Sequence, residues 1–234
     1  MLIDNILCFA PHPDDELLGC GGSLIKALGM GRNVHICYLS FGEHGSPKLT
    51  PKKLAIIRKN EALDVCKSLG LPRKNVSFLG IADNQISRYD FNSFKKIIKL
   101  IRDIKPDLVY LPHALEQSLD HMEAHALIMR ALDMAGSNNF SELGQNAWWV
   151  KNVLAYEVWT PLERYQYTED ISDFMDKKIE VLKLYKSQTK QSGNVSNFIG
   201  EKAKYLSAYR AAMTLGDYRE AFQVLRMGDV YNKS

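Results

Sequence analysis

Short apolar runs alternate with longer amphipathic segments from Asn5 to Trp159. Runs such as NILCFAP, NVHICYLSF, NVSFLGI, DLVYLP and NVLAYEVW have the length and apolar character of buried strands. Segments with apolar residues at helical spacing lie between them, and FNSFKKIIKLIRDIKP ends before a proline, as helices do. This strand–helix order with short connections predicts an α/β fold with a mostly parallel sheet covered by helices on both faces.

The pattern changes after Trp159. The segment TPLERYQYTEDIS is mixed, and we expect at most one short strand in it. The segments DFMDKKIEVLKLYKSQTKQ and GEKAKYLSAYRAAMTLGDYREAFQVLR have the spacing of amphipathic helices, which predicts a helical C-terminal tail. The chain has 234 residues and no evident linker, so we treat residues 1–234 as one domain.

Composition and charge exclude several classes of protein. The net charge of +3 is small, and basic stretches such as SFKKIIKLIRDIK have the spacing of solvated helix faces, so no nucleic-acid partner is expected. The four cysteines form no CxxC pair, which favours buried thiols in a reducing compartment. No run approaches the ~18 apolar residues of a membrane span. The N-terminus MLIDNILCFA lacks a basic leader, so we expect a cytoplasmic location.

Titratable side chains collect where the predicted strands end. Open parallel sheets place their chemistry at the carboxyl ends of the strands. Five of the six histidines lie at or just after such ends, and His35, inside the second strand, is the exception. The strand-end side chains are His12, Asp14, Asp15, Glu43, His44, Asp83, His113, Glu116, Asp120, His121 and His125.

The first of these strand ends, APHPDDELLGCGG, is the strongest candidate for a metal site. Its glycines do not complete a dinucleotide-binding G-x-G-x-x-G pattern, and three carboxylates precede them, so they are expected to let a helix approach the sheet. His12 and Asp15 can reach one cation from a tight turn, with Asp14 beside it. Such a cation would offset the repulsion between the neighbouring carboxylates and keep them ionised.

A third ligand has to come from another strand end, and LDHMEAH offers two histidines. His121 and His125 are four residues apart on a predicted helix, so either imidazole can face the site. Two histidines, one carboxylate and open positions for water suit catalytic zinc. The same donor set also suits non-haem iron(II).

With these residues identified, the sequence resembles the LmbE/PIG-L family of metal-dependent N-acetylglucosaminyl deacetylases. The resemblance is carried, in the family's order, by APHPDDELLGCGG, SFGEHG, RKNEALDVCKSLG followed by GIADNQI, and PHALEQSLDHMEAH. It implies a Rossmann-like fold. It also implies His12, Asp15 and His121 as the metal ligands and Asp14 as the general base, with Arg58 and Asp83 in positions that hold sugar hydroxyls in relatives.

The sequence departs from the family at Ser118, where relatives have a histidine that helps to stabilise the tetrahedral intermediate. Asp120, the customary partner of that histidine, is present. Removing one oxyanion donor can lower the rate on the order of 10²–10³-fold. Either another group compensates, with His113 and His44 as the candidates by placement, or the enzyme is slow, or its substrate is unusual. Glu43 and Ser118 complete the predicted substrate-binding set.

The predicted function is removal of an N-acetyl group from an N-acetylglucosamine-type sugar by metal-activated water, with a small-molecule substrate and no membrane span. Relatives often form homo-oligomers. Three alternatives stay open at this point. The same site suits an amidase acting on a non-sugar amide, Ser118 suits a catalytically impaired homologue that binds metal or sugar, and the donor set suits an iron(II) oxygenase.

Overall fold

The computed structural model describes residues 3–144, 146–189 and 199–228. The strands are β1 (Asn5–Ala10), β2 (Asn33–Ser40), β3 (Val76–Ile81), β4 (Leu108–Pro112), β5 (Asn152–Tyr156), β6 (Tyr167–Asp170) and β7 (Arg219–Arg226). The helices are α1 (Asp15–Gly29), α2 (Pro51–Ser68), α3 (Phe91–Ile104), α4 (Leu119–Ala135), α5 (Met175–Leu182), α6 (Lys186–Thr189) and α7 (Ile199–Ala212). Short 3-10 helices lie at Arg73–Asn75, Ser141–Leu143 and Ser172–Phe174.

The strands form one sheet in the order β3-β2-β1-β4-β5-β7-β6. Neighbouring strands from β3 to β5 are parallel, whereas β7 runs antiparallel to both β5 and β6. The chain progresses outward from β1 in one direction and from β4 in the other, so the strand order reverses between these two strands. This is the position at which open α/β sheets bind ligands, and the predicted fold class is confirmed.

The sheet separates two apolar cores, because alternate residues of each central strand face opposite sides. In β1, Cys8 and Ala10 face a core built with α1, α2, α5 and α7, whereas Leu7 and Phe9 face α3 and α4. A Cβ added to Gly19 would lie 2.1 Å from Cδ2 of Tyr156, so this glycine lets α1 approach the sheet as expected. Within the described ranges, each helix is too short or too polar to cross a membrane.

The C-terminal part of the chain confirms one expectation and corrects another. The short strand expected after Trp159 is β6, and the segment from Asp173 contains α5 and α6, with its predicted end at 190–191 outside the described residues. The prediction that REAFQVLR continues a helix is wrong, since residues 219–226 form β7 between β5 and β6. Phe222 pairs with both Tyr156 and Tyr167, so long-range strand pairing overrides a local spacing that is compatible with either structure.

A buried ion pair attaches β7 to α1 and α5. Glu220 accepts hydrogen bonds from the backbone N–H groups of Gly22 and Ser23, both at 2.8 Å. Lys178 is fully buried and donates to Glu220 at 2.8 Å and to the carbonyl of Leu18 at 3.0 Å. Because every partner is buried, removing the carboxylate leaves an ammonium group that water cannot reach.

We expect Glu220→Ala to lower the free energy of unfolding by about 3–5 kcal/mol, because it strands a buried charge. The matched control is Glu169→Ala, which removes the partner of Lys26 in a partly exposed pair at 2.5 Å. That loss is expected to stay within about 1 kcal/mol. Chemical denaturation measures both values, and equal losses would contradict the structural role given to Glu220.

Candidate active site

The turn between β1 and α1 holds its side chains in a strained backbone conformation. Asp14 has a φ of 118°, which residues other than glycine rarely adopt. The turn is held from within: Asp15 Oδ2 accepts the N–H of His12 at 2.8 Å, and Glu16 Oε2 accepts the N–H of Asp14 at 3.0 Å. Glu16 Oε1 also accepts the hydroxyl of Tyr185 at 2.6 Å, which attaches the turn to the C-terminal part of the chain.

Asp15 lies between two imidazoles that come from distant parts of the sequence. His12 Nδ1 and His121 Nε2 are each 3.2 Å from Asp15 Oδ2. His121 is in the first turn of α4, which follows β4, the strand next to β1. The sheet order therefore brings the His-Pro-Asp-Asp turn and the Asp-His pair together, and ligand atoms of these three residues lie within 4.8 Å of one another.

The three residues fit a bound metal ion. Both ring nitrogens of His121 are buried without a hydrogen-bond partner, and its side chain has no exposed surface. A buried polar atom without a partner is costly, and a metal ion at Nε2 would satisfy one of the two nitrogens. Two imidazoles and a carboxylate are a donor set of catalytic zinc sites.

A second group of possible ligands shares His12. The Nε2 atom of His12 lies 3.1 Å from Asp83 Oδ1 and 3.1 Å from Asp120 Oδ2. Asp120 already accepts the backbone N–H groups of Asn84 at 2.8 Å and Ile86 at 3.2 Å. These two carboxylates therefore act as acceptors behind His12, which leaves its Nδ1 free to face Asp15. Asp120, predicted to lack its partner, has one in His12.

Burial and charge shift the ionisation of this cluster in opposite directions. Burial opposes protonation of His12, but hydrogen bonds to Asp120, Asp15 and Asp83 outweigh it and raise the pKa of His12 well above its usual value. Burial also disfavours the charged form of Asp15, but His121 and His12 hold its pKa well below the usual value. For Asp14, burial outweighs the Arg58 charge and raises the pKa to about 7.

Arg58 joins the first turn to the turn after β2. Its guanidinium lies 3.2 Å from Asp14 Oδ1, donates to the carbonyl of Pro13 and donates to the carbonyl of Gly42 at 3.0 Å. Gly42 has a φ of 61°, and a Cβ there would lie 2.2 Å from Arg58 Nη1, so this position needs glycine. Arg58 was predicted to hold sugar hydroxyls, but its contacts within the protein fix both turns.

A cleft of about 250 Å³ opens over the cluster. Its walls are His12, Asp14, Asp15, Gly42, His44, Gly45, Arg58, Asp83, Asn84, Trp159 and Gln188. Of the predicted substrate-binding residues, Arg58 and Asp83 line it. Glu43 instead accepts the N–H of Asp83 at 3.0 Å, and Ser118 is the half-buried N-cap of α4. The structure thus brings Arg58 and Asp83 to the cleft but not Glu43 and Ser118.

His113 does not face the cleft, contrary to the prediction that it is a catalytic residue. It is buried, its Nδ1 accepts the N–H of Leu115 at 3.2 Å, and its Nε2 lies 2.8 Å from the carbonyl of Thr160. Both ring nitrogens are therefore engaged within the protein. Of the two candidates to replace the family histidine, His44 is the one on the cleft wall, with its side chain 49% exposed.

The positions of His121 and His125 bear on which of them is the third ligand. His125 Nδ1 lies 2.9 Å from the carbonyl of Pro112, whereas His121 contacts Asp15. One helical turn along α4 is enough to place the second imidazole against the end of β4. This supports His121 over His125 as a ligand.

Sequence reasoning missed Trp159, Asn84 and Gln188 on the cleft wall. Trp159 follows β5, so the strand-end rule that identified the histidines extends to it. Asn84 follows the predicted site residue Asp83. Gln188 comes from α6, which approaches the cleft from the far end of the chain, and no local signal in the sequence indicates this placement.

A larger cavity of about 490 Å³ lies at the opposite edge of the sheet, where β1, β4 and β5 begin. Its charged side chains are paired: Lys26 with Glu169, Arg32 with Asp4, and Arg226 with Asp133. Its walls hold no cluster of histidines and carboxylates like that at the carboxyl edge. The chemistry is therefore concentrated in the smaller cleft.

Known proteins resemble this chain in sequence and in fold. Diacetylchitobiose deacetylase of Thermococcus kodakarensis is 29% identical over 195 residues, which cover 80% of this chain and 70% of that protein. The 4-oxalmesaconate hydratase of Pseudomonas putida is 26% identical over 196 residues, covering 79% and 74%. The crystal structure of a conserved protein from Thermus thermophilus has a TM-score of 0.82 at 27% identity, covering 99% of this chain and 98% of that chain.

The family model described as GlcNAc-PI de-N-acetylase, PIG-L, matches residues 7–132. That range runs from β1 through most of α4, so it includes the His-Pro-Asp-Asp turn, Arg58, Asp83 and His121. Since it spans more than half of the sequence and agrees with the resemblance carried by the motifs, the chain belongs to the PIG-L family.

Proposed function

We propose that this protein is a metal-dependent hydrolase, with zinc as its metal, that removes the N-acetyl group from an N-acetylglucosamine-type sugar derivative. The observation that carries the proposal is the set of His12, Asp15 and His121, in which Asp15 and His121 are buried and the His121 nitrogens lack hydrogen-bond partners. The relative named diacetylchitobiose deacetylase supports the choice of an acetylated amino sugar as substrate.

A divalent ion held by these three residues would supply Lewis acidity, which lowers the pKa of water and polarises a carbonyl group. Asp14 lines the cleft beside them and is suited to accept a proton from water at its carboxylate. The same carboxyl group can return this proton to the leaving amine. Arg58, 3.2 Å from Asp14 Oδ1, fixes the orientation of that carboxylate.

Two walls of the cleft suit a sugar. The half-buried indole of Trp159 offers a flat apolar surface of the kind on which a pyranose ring stacks. Asp83 offers a carboxylate that accepts hydrogen bonds from hydroxyl groups, and its position is fixed because it accepts the N–H of His44 at 2.7 Å. His44, on the same wall, is the group we propose as the donor that stabilises developing negative charge on the acetamide oxygen.

A second candidate function is hydration of a carbon–carbon double bond, since the relative from Pseudomonas putida is named a hydratase. The same cleft can activate water and transfer a proton for that reaction. Ser118 keeps this candidate open, because the family histidine is absent. An amidase on a non-sugar amide and a catalytically impaired binding protein also use the same residues. The cytoplasmic location, a homo-oligomer and a single domain over 1–234 stay predictions.

The proposed function is tested by a substrate screen with Zn²⁺-loaded protein. Acetate release is expected from at least one N-acetylglucosamine derivative, with N,N'-diacetylchitobiose as the first substrate to try. N-acetylated amino acids test the amidase alternative, and unsaturated dicarboxylates test the hydratase alternative. Protein that binds Zn²⁺ but releases acetate from none of the sugars would contradict the proposal, and turnover of a substrate of either alternative would replace it.

The ligand assignment is tested by metal content. We expect His121→Ala to lower bound zinc sharply, because it removes one of three protein ligands. The matched control is His125→Ala, four residues along the same helix, which should keep the wild-type content because His125 faces Pro112. Elemental analysis after dialysis measures both, and equal zinc in the two variants would rule out His121.

The role of Asp14 is tested by Asp14→Asn, which keeps the shape of the side chain but removes its ability to accept a proton. The expected result is wild-type zinc content with the turnover number lowered about 10²–10⁴-fold, the range typical of general acid–base catalysis. Normal turnover in this variant would exclude Asp14 as the base.

Replacing His44 tests whether it takes the catalytic role of the missing family histidine. Because it lines the cleft, His44→Ala is expected to lower the turnover number about 10²-fold or more with little change in zinc content. His35→Ala, in β2 and away from the cleft, is the control and should leave turnover unchanged. Unchanged turnover in His44→Ala would exclude His44 as the replacement for the family histidine.

A further inference from the structure

Glu116 has a buried carboxylate that the proposed chemistry does not use. It lies in the loop between β4 and α4, and its side chain has no exposed surface. Its Oε1 accepts the N–H of Val158 at 2.6 Å and of Trp159 at 3.1 Å, and its Oε2 accepts the N–H of Thr160 at 3.2 Å. Three consecutive amides of the loop after β5 therefore hold this carboxylate in one position.

The hydrogen bonds to this loop favour the charged form of Glu116, because both of its carboxylate oxygens accept backbone N–H groups. A positive charge nearby would lower the cost of burying that charge further. Within the part of the chain that the structure describes, no lysine or arginine is in an ion pair with Glu116. The basic groups close to it are two histidines, His113 and His121.

His113 does not balance the charge of Glu116. Its Nδ1 accepts a hydrogen bond from the N–H of Leu115, so this nitrogen carries no proton. Its Nε2 lies 2.8 Å from the carbonyl of Thr160 and 3.4 Å from Glu116 Oε1, so its single proton is directed mainly at the carbonyl. The hydrogen bonds of this ring are thus made with the backbone, and the other imidazole near Glu116 is that of His121.

We infer that Glu116 is a positioning residue that orients the metal ligand His121 through its Nδ1 atom. Glu116 Oε2 lies 3.9 Å from His121 Nδ1, which has no hydrogen-bond partner, while Nε2 on the other side of the ring faces Asp15 at 3.2 Å. Histidines that bind metals almost always donate their other N–H to a carboxylate, carbonyl or water. The inference rests on the metal site of the proposed function.

Two consequences follow for His121. The 3.9 Å between Glu116 Oε2 and His121 Nδ1 is longer than a hydrogen bond, so Glu116 acts on this nitrogen through its negative charge. That charge favours a proton on Nδ1, which leaves the lone pair of Nε2 directed toward His12 and Asp15. The negative charge of Glu116 also makes the ring a stronger ligand and offsets part of the charge of a divalent cation. The same carboxylate fixes the loop that carries Trp159, so the cleft wall and the ligand share one support.

The inference is tested by Zn²⁺ affinity, measured on metal-free protein by competition with a chromophoric chelator. Glu116→Gln keeps the size and one acceptor but removes the charge, and it should weaken binding about 10- to 100-fold. The control is Glu157→Gln. Glu157 is also buried and holds the same loop at Leu162, but it pairs with Arg210 at 2.6 Å instead of a ligand histidine.

Glu157→Gln should lower the Tm more than Glu116→Gln, because it weakens a two-bond pair with a buried arginine, yet leave Zn²⁺ affinity close to that of the wild type. This pattern separates a loss of structure from an effect on His121. Equal affinities in wild type and Glu116→Gln, or equal losses in both variants, would overturn the inference while leaving the proposed function standing. Wild-type protein without Zn²⁺ affinity would overturn both.

A measurement on the wild-type protein covers the case in which Glu116→Gln does not fold. In Zn²⁺-loaded protein labelled with ¹⁵N-histidine, His121 should show a protonated Nδ1 whose hydrogen exchanges slowly with water. An Nδ1 without a proton, or one whose proton exchanges as fast as that of exposed His44, would overturn the inference. The assignment comes from the signal that is lost in His121→Ala.

Discussion

The stability of this fold depends on how the negative charge buried at the carboxyl ends of the strands is compensated. Asp14, Asp15, Asp83, Glu116 and Asp120 are all buried there, around two histidines and one arginine. Carboxylates brought together out of water repel each other, and each carries a desolvation penalty. Backbone N–H groups and imidazoles compensate for this charge, and most of these carboxylates have an assigned donor. The cation of the proposed function would add to that compensation.

The division of labour among these carboxylates follows from what each one contacts. Asp83 and Asp120 receive backbone N–H groups and contact the same nitrogen of His12, and Asp83 also lines the cleft. Asp15 faces both imidazoles and is held ionised by them. Asp14 faces the cleft with a raised pKa and one guanidinium contact, which leaves it as the carboxylate with a proton to exchange. Aspartates that look alike in the sequence thus acquire different roles from their surroundings.

The sequence was sufficient for the parallel strands, because buried strands are short apolar runs. The strand-end rule places His12, Asp15, His121 and His125 at the same ends of these strands, but it does not choose between the last two. His121 was preferred through the family resemblance. The orientation of a side-chain ring, in contrast, depends on residues that are distant in the sequence. His113 sits at a strand end as expected, but its ring turns toward Thr160, a residue 47 positions away. Strand β7 was misassigned for the same reason, since its neighbours β5 and β6 decide its conformation.

The placement of β7 has a consequence for how the protein is made. Strand β6 is at the edge of the sheet and pairs with β7, which is the last strand in chain order among the residues that the structure describes. A ribosome that has produced everything up to α7 has therefore produced β6 without its partner, and β5 with one side uncovered. The parallel core can form during synthesis, but this end of the sheet closes only when residues 219–226 emerge. Until then β6 lacks its partner and one side of β5 is open, and unpaired strand edges of this kind can pair with other chains.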